Sequence, residues 1–570
     1  MDARRAAHVL ERISGLLELS GVEKFRARAY RGAAAALRAL GSDDITPLYY
    51  SGELASVPGI GPATLSVLAE LVETGESSYL NRLLETVPEG LLQVARVPGL
   101  TPAKVALLHT EIGIESLEDL EEAARDGRLR TVRGFGDKTV KHVLQGIEIV
   151  RGRGGRLLYR EALIEAERSA LQLAQQPDVK RVDAAGEIRR ISDVVRDIAL
   201  VAECDDDADA AAVLNEMERT PGVLEAERRG DAVHLRFVDD TEIDVSCAAP
   251  EAFPLALWRA TGSAEHVAQV EEYAASCGLS INGGDNNEPV KSEHHLYERL
   301  GLQYIPPELR EALGEVEAAA RDALPNLIRA DDIRGVLHCH SEHSDGSVPI
   351  AEMAAAARER GWDYLGISDH SMAAFYAGGL KPDDVMRQHD EIDRLNNDTP
   401  GFRILKGIEC DILADGALDY DTSIRDSFEY IIGSIHSRFS MDLETMTARV
   451  LAAMDDPRLT ILAHPTGRLL LQREPYALDL EAVIHKAAAT GVTLELNADP
   501  ARLDLEWRWC KKANDLGVRI AIGPDAHSPR GLDHTFFGVK LARKAWLTAD
   551  NVLNTRSADE ILTIARSRTT

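Results

Sequence analysis

With 570 residues the chain has room for several cores, and a net charge of −30 speaks against a protein coated in nucleic acid over its whole surface. Six cysteines, Cys204, Cys247, Cys277, Cys339, Cys410 and Cys510, are scattered without a Cys-x-x-Cys pair. With neither a secretory segment nor a membrane-length apolar run, the expectation is a cytoplasmic protein with free thiols and no membrane contact. The charge is uneven, because residues 1–160 hold 21 basic and 21 acidic side chains and all the excess acid lies beyond them. A neutral front segment on so acidic a chain is the place for a polyanion contact.

In chain order, residues 1 to about 90 read as helices, with Val9, Ile13, Leu16 and Leu17 at helical spacing. The turn Val57-Pro-Gly-Ile-Gly-Pro-Ala63 leads into an apolar helix from Leu65. Val97-Pro-Gly-Leu-Thr-Pro-Ala103 and Val132-Arg-Gly-Phe-Gly-Asp-Lys138 repeat it at intervals of roughly 35 to 40 residues. A Gly-x-Gly between two helices frees backbone N–H groups at the start of the second helix. With the helix dipole, those groups hold a phosphate without reading a base. Gly59, Gly61, Gly99, Gly134, Gly136 and Lys138 are therefore candidate DNA contacts, although Thr101 replaces the second glycine of the middle copy. The pattern resembles the helix-hairpin-helix motif of DNA repair and replication proteins; the plainer alternative is that Gly and Pro merely turn helical hairpins.

After a helix over about 160–175 come Val182-Asp-Ala-Ala-Gly-Glu-Ile-Arg-Arg190 and the strand-like Val194-Val-Arg-Asp-Ile-Ala-Leu-Val-Ala202, with further strands at Ala232-Val-His-Leu-Arg-Phe237 and Glu242-Ile-Asp-Val245. This segment resembles the palm of the X-family DNA polymerases. There an Asp-x-Asp strand and a third Asp clamp two cations about 3.5 to 4 Å apart. The resemblance places Asp197 and Asp244 at the first and third carboxylates but Ala199 at the second, and a methyl group cannot bridge metals. Glu187 stands where a serine is expected near an incoming triphosphate, while Arg189 and Arg190 are retained. Ala260 and Val267 also depart from the family pattern, whereas the segment from Leu296 to Arg310 resembles its thumb. The expectation is a retained polymerase fold with weak or lost activity; Mg2+ or Mn2+ at the palm stays an open alternative.

Beyond a helical linker expected over 313–324, the stretch Gly335-Val-Leu-His-Cys-His-Ser-Glu-His-Ser-Asp-Gly346 ends an apolar run in His-x-His. A period of two turns His338 and His340 to one side and Cys339 to the other. Two imidazoles followed by Asp345 suit a borderline or hard divalent cation. An apolar run ending in a ligand type then returns before His370, Glu409, His436, His464 and the pair Asp525 and His527. Helices are expected between these runs, over 352–360, 385–395, 446–454, 480–489 and 507–516. Such alternation predicts a parallel sheet, closed as a barrel, with function at the carboxyl ends of its strands.

The segment from 333 to about 545 resembles the PHP (polymerase and histidinol phosphatase) domain, a distorted β/α barrel with three metal ions. The resemblance implies nine ligands: His338, His340, Asp345, His370, Glu409, His436, His464, Asp525 and His527. Zn2+, Mn2+ and Fe2+ all accept such a set, and they would bind phosphate oxygens and acidify a water for in-line attack on phosphorus. Glu409 is the expected bridging ligand, since imidazole has only one free nitrogen to offer. Arg438 and Arg468 are candidate phosphate clamps, and Glu495 and Asn497 are expected to support the ligands. His343 is left open, Asp369 is expected to turn away, and His485 to be exposed.

The domain order resembles that of bacterial PolX proteins over essentially the full length. The expected layout is a multidomain α+β and α/β protein. It comprises a helical domain (1–90), a second helix-hairpin-helix domain (91–155), a polymerase-β-like palm (156–250), a thumb (251–320), a linker (321–332) and the PHP domain (333–570). The expected activities are 3′-to-5′ exonuclease, 3′-end cleaning and cleavage at abasic sites. DNA is the expected partner, as single strands or gapped or damaged duplex, and a monomer the expected state. An active repair polymerase with a proofreading nuclease, a histidinol-phosphatase-like enzyme and a non-catalytic DNA-binding scaffold are the alternatives.

Overall fold

The computed structural model describes residues 1–20, 24–40, 44–153, 155–220, 222–281 and 289–568. The chain forms two compact units, one of Met1–Leu157, Glu161–Ile188 and Val194–Ala260, the other of Leu158–Arg160, Arg189–Asp193 and Thr261–Thr570.

The first unit opens with the helix Ala3–Leu19, whose N-terminus is capped by Asp2 accepting the Arg5 N–H at 2.7 Å. Ala6, Leu10, Ile13 and Leu17 fall on one helical stripe and are buried, in a core that continues through the later helices to Ile147. The three repeated turns share one backbone conformation. Gly59, Gly99 and Gly134 lie at φ +98°, +83° and +92°, where only glycine is unstrained. Gly61 and Thr101 both cap the helix that follows, Pro62–Thr74 and Pro102–Ile112. Thr101 thus keeps the turn, its hydroxyl accepting the Lys104 N–H. The helix Asp137–Arg153 follows the third turn, and Lys138 is exposed.

The same unit holds a five-stranded sheet of β1 (Arg181–Ala184), β2 (Asp197–Glu203), β3 (Val223–Arg229), β4 (Ala232–Phe237) and β5 (Glu242–Ala248), in the order β1-β2-β5-β4-β3. Strict alternation buries Val233, Leu235 and Phe237 of β4 and Ile243, Val245 and Cys247 of β5. β2 and β5 run parallel, with Asp197 opposite Glu242 and Ala199 opposite Asp244. The strand expected from Val194 breaks at Arg196 into Val194–Val195 and β2.

In the second unit the helix Ala264–Ser276 is capped by Ser263, and the fully buried His266 joins Glu315 at 2.5 Å and the Tyr297 hydroxyl at 3.0 Å. The expected linker helix shrinks to Glu315–Ala319, because Gly314 (φ +95°) and Asp322 (φ +52°) hold left-handed backbone that cannot continue it. Seven parallel strands follow: β6 (Gly335–Val336), β7 (Tyr364–Ile367), β8 (Arg403–Asp411), β9 (Tyr430–Ser434), β10 (Leu459–Leu462), β11 (Thr493–Asn497) and β12 (Ile520–Gly523). They lie side by side in sequence order. The two ends meet beyond β6 and β12, where the His340 N–H donates to Ala526 O at 2.9 Å and the Ala526 N–H to His338 O at 3.3 Å, so the sheet is a nearly closed barrel. Helices run between the strands as the sequence implies, Leu443–Met454 and Leu480–Thr490 starting at Asp442 and Asp479 caps. The interior is filled by Tyr430, whose hydroxyl donates to Leu337 O at 2.6 Å. Gly366 and Gly407 leave its ring space, since a Cβ there would come within 2.3 and 2.1 Å of it.

Candidate metal centre

The carboxyl ends of the barrel strands carry the predicted residues. β6 runs into His338 and His340, β7 into His370, β8 contains Glu409, and β9, β10 and β12 lead to His436, His464 and the pair Asp525 and His527. Cys339, between the two histidines, points into the apolar layer behind the sheet and is fully buried. His464 (φ +27°) and Asp525 (φ +50°) have left-handed backbone at their strand ends, a conformation that costs about 1–3 kcal/mol and persists where the surroundings enforce it.

All nine side chains converge. They form four overlapping groups, His340 with Asp345, His370 and His527; His338 with His464 and Asp525; His338 with His340 and Glu409; His370 with Glu409 and His436. Within each, the ligand atoms lie within 4.8 Å of one another. Glu409 is at the middle and almost completely buried. One of its oxygens approaches His464 at 2.9 Å and His436 at 3.3 Å, the other His370 at 2.9 Å and His338 at 3.6 Å. Asp345 lies 3.3 Å from His527 and 3.5 Å from His370.

Burial opposes charge in this cluster; at His340 it prevails and lowers the imidazole, while at Glu409, Asp345, His370 and His436 the mutual fields outweigh it. The imidazoles of His436, His370 and His338 hold Glu409 well below the usual carboxylate range, and His370 and His527 do the same for Asp345. In return, Glu409 and Asp345 lift His370 to about 10, and Glu409 and Asp411 lift His436 to about 9. Yet His338 Nε2, both ring nitrogens of His340 and His370 Nδ1 are buried without a hydrogen-bond partner. Several imidazole nitrogens buried close to carboxylates but without hydrogen-bond geometry are a poor core and a good cation cage, so the residues fit the divalent ions that the sequence implies.

The supporting shell is equally ordered. Glu495 accepts from His338 Nδ1 at 2.5 Å and from the His464 N–H at 2.7 Å, which turns His338 Nε2 toward Asp525, 3.6 Å away. Asn497 donates to Asp525 at 3.0 Å. Asp411 stands 3.4 Å from His436 Nδ1. Asp369 turns away from the centre as expected and ties down the loop before Asp345, accepting from the Ser341 N–H at 2.8 Å and the Gln388 amide at 2.6 Å. His343 is paired with Glu391 at 2.8 Å, and His485 is exposed on its helix.

The two arginines singled out in the sequence part company. Arg438 is exposed beside His436 with left-handed backbone. Arg468 turns Nε and Nη2 to the chain, donating to the carbonyls of Arg502 and Leu503 and, at 2.6 Å, to Asp193. The guanidinium that reaches the centre is Arg502, 3.6 Å from Asp525, which the sequence reading missed. Its signal was its place in the loop right after β11, whose alternate residues Glu495 and Asn497 already faced the rim. Gly523 was missed too, and a Cβ there would strike Glu495 Oε1 at 1.9 Å. Tyr376, exposed, stands with its ring 6.4 Å from His436. Burial, with Asp411 and Glu409, pushes its hydroxyl up to about 12.

The polymerase-like sheet offers a different picture. Asp244 is 2.9 Å from His234 Nδ1. Asp197 stands opposite Glu242 on the neighbouring strand, and burial and the Asp197 carboxylate push Glu242 above the usual carboxylate value. Ala199 packs with the apolar cluster of Val201 and Phe253. Glu187 accepts the Arg196 N–H at 2.7 Å, and Arg190 is spent on Glu311 at 3.2 Å and Thr261 O at 2.8 Å.

Fold and site together define a class: a PHP barrel whose rim gathers residues that could hold metal ions, carried on the same chain as helical hairpins and a polymerase-type thumb. Comparison with known families agrees segment by segment, matching a helix-hairpin-helix domain at residues 1–77, a SAM-like helix-hairpin-helix tandem at 90–148, a DNA polymerase beta thumb at 256–311 and a PHP domain at 337–498. The DNA polymerase/3'-5' exonuclease PolX of Bacillus subtilis is 36% identical over 568 residues, 98% of this chain and 99% of that protein. The chain belongs to the PolX family. Probable phosphatases of Thermoanaerobacter and Syntrophotalea carbinolica are 29% and 27% identical, over 36% and 38% of this chain, covering 83% and 90% of their own lengths.

Proposed function

We propose that this protein is a metal-dependent DNA phosphodiesterase that removes nucleotides from 3′ ends, cleans blocked 3′ ends and cuts at abasic sites, and that its palm no longer supports efficient polymerisation. The observation that carries the reading is the set of unpartnered imidazole nitrogens gathered around Glu409 and Asp345. His338, His340, Asp345, His370, Glu409, His436, His464, Asp525 and His527 would hold three divalent ions, of Zn2+, Mn2+ or Fe2+. When bound, such ions polarise phosphoryl oxygens and acidify water near neutral pH.

The chain's own residues do the rest. Glu409 presents its two oxygens to different imidazoles and so keeps the ligands in register. Glu495 fixes the His338 tautomer and leaves Nε2 free as a ligand. Arg502, beside Asp525, and Arg438, beside His436, are placed to take phosphate oxygens and align the ester for displacement. The hairpin turns at Gly59, Gly61, Gly99, Gly134 and Gly136, with Lys138, would hold the DNA backbone without sequence preference. A cytoplasmic monomer fits this reading.

The direct test is degradation of a 5′-labelled single strand with Mn2+. The wild type is expected to shorten it from the 3′ end, and His340→Ala or Glu409→Ala to leave it intact; full activity in either variant rejects the assignment. The likeness to probable phosphatases favours a small-molecule phosphatase as the second reading, but those proteins match only 36% and 38% of this chain. Hydrolysis of histidinol phosphate much faster than of DNA would favour it.

A further inference from the structure

Beside the metal centre, the second unit contains a cavity of about 640 Å3, within the 300–1,000 Å3 typical of small-ligand sites. Asp525 and His527 form its inner wall, and Arg160, Arg530, Phe536 and Phe537 line the remainder. Phe536 is 46% exposed although it is a large apolar ring, packed edge-on to Phe537 with centroids 5.4 Å apart. Arg160 and Arg530 are also exposed, and neither guanidinium is paired with a described residue. Two acids in the lining are already engaged, Asp533 with Arg360 at 2.6 Å and Asp499 with the Ala501 N–H at 2.8 Å. What is left is a half-exposed aromatic ring, with Lys540 Nζ 5.4 Å from its centroid, and two cations without a described partner next to the ligand residues.

That combination suits one kind of molecule, a flat heteroaromatic base joined to a phosphate. We propose that the pocket seats the deoxynucleoside 5′-monophosphate released from the 3′ end, its base on Phe536 and its phosphate between the metal centre and Arg530 or Arg160. The assignment rests on the phosphodiesterase reading above. In that hydrolysis the water oxygen bonds to phosphorus, and the P–O3′ bond breaks. The 3′ oxygen of the shortened strand leaves and takes up a proton, so the phosphate remains with the departing nucleotide. A phosphate held at His527 then has its nucleoside within reach of Phe536. The pocket would act as a product site that delays release and selects for a terminal base over a bare sugar phosphate.

The test is isothermal titration of dAMP, and separately of deoxyribose 5-phosphate, into the full-length protein supplied with Mn2+. Stacking on an aromatic side chain is worth about 1–3 kcal/mol per base, so dAMP should bind roughly tenfold or more tighter than deoxyribose 5-phosphate. Phe536→Ala should erase that difference, and Arg530→Ala should weaken both ligands. Equal binding of the two ligands by the wild type, or dAMP binding unchanged in both variants, overturns the proposal. Hydrolysis of bis(4-nitrophenyl) phosphate by the same preparation separates the two ideas. If dAMP binds as expected but the diester is untouched, the phosphodiesterase reading fails and the pocket stands. If the diester is cleaved but dAMP binding ignores the variants, the pocket fails and the reading stands.

Discussion

The polymerase-like sheet and the PHP barrel both present acidic side chains from parallel strands, and they differ in how those acids are satisfied. In the sheet, Asp244 has His234 at 2.9 Å, Asp197 has Glu242, and the position between them in the polymerase pattern is Ala199. Asp244 is answered by an imidazole, Asp197 and Glu242 face each other as two carboxylates, and among the described residues no buried imidazole nitrogen of this sheet lacks a partner. In the barrel the counts do not close: four imidazole nitrogens are buried and unpartnered around Glu409 and Asp345. Burying polar atoms without partners costs free energy, so a fold that keeps several in one place beside carboxylates suits a divalent cation there. Carboxylates alone are therefore a weak sign of a metal site; unsatisfied nitrogen donors beside them are a strong one.

The comparison can be broken at several points. Glu409→Ala removes the residue that touches imidazoles on both sides of the rim, and Mn2+-dependent nuclease should fall by roughly a thousandfold, the several kcal/mol that metal-assisted charge stabilisation is worth. Glu495→Gln keeps the shape but loses the charge that orients His338, and metal affinity measured by chelator competition should drop by about 10- to 100-fold. In the sheet the direction reverses. Ala199→Asp adds the second carboxylate, and primer extension with Mn2+ should rise by about tenfold, equivalent to roughly 1.4 kcal/mol of barrier; no gain would mean that Glu187 and the His234 pair are the larger obstacles.

The smallest effect concerns acid stability away from either site. His389 is buried against Phe428, with centroids 5.0 Å apart, and burial followed by Lys406 lowers its imidazole to about 4. Between that value and the unfolded one, about 6.5, the unfolded chain binds more protons. This contribution is therefore whole above about pH 6.5 and is lost as the pH falls toward 4. His389→Phe should flatten the acid limb of the melting curve by about 2 °C; an unchanged limb would show that His389 does not titrate in this window.

Much of this was legible in the sequence because it is periodic. Six of the seven barrel strands are apolar runs that contain or lead to one or more of the nine residues, β11 carrying Glu495 and Asn497 instead; the full set of nine came from the resemblance to the PHP domain, and the three hairpin turns repeat a glycine at the same place. What stayed hidden depends on contacts between distant segments. Arg468 and Arg502 look alike along the chain, and only the position of Asp193 decides that the first turns to the chain and the second faces the rim. Gly523 reads as an ordinary strand glycine until Glu495, from the neighbouring strand, is seen to fill the space where its Cβ would be. The shortened linker helix starts at Gly314, a glycine signal that the sequence reading passed over, and ends before the left-handed Asp322, which an acidic, alanine-rich run does not announce.

The central claim is that the barrel rim, and not the polymerase-like sheet, is the cation-dependent centre. Metal content by inductively coupled plasma mass spectrometry, on the full-length protein after purification without chelator, tests it most directly. The account predicts close to three divalent ions per chain in the wild type and in an Asp197→Asn, Asp244→Asn double variant, and clearly fewer in Glu409→Ala. Metal lost from the double variant and kept in Glu409→Ala would contradict it.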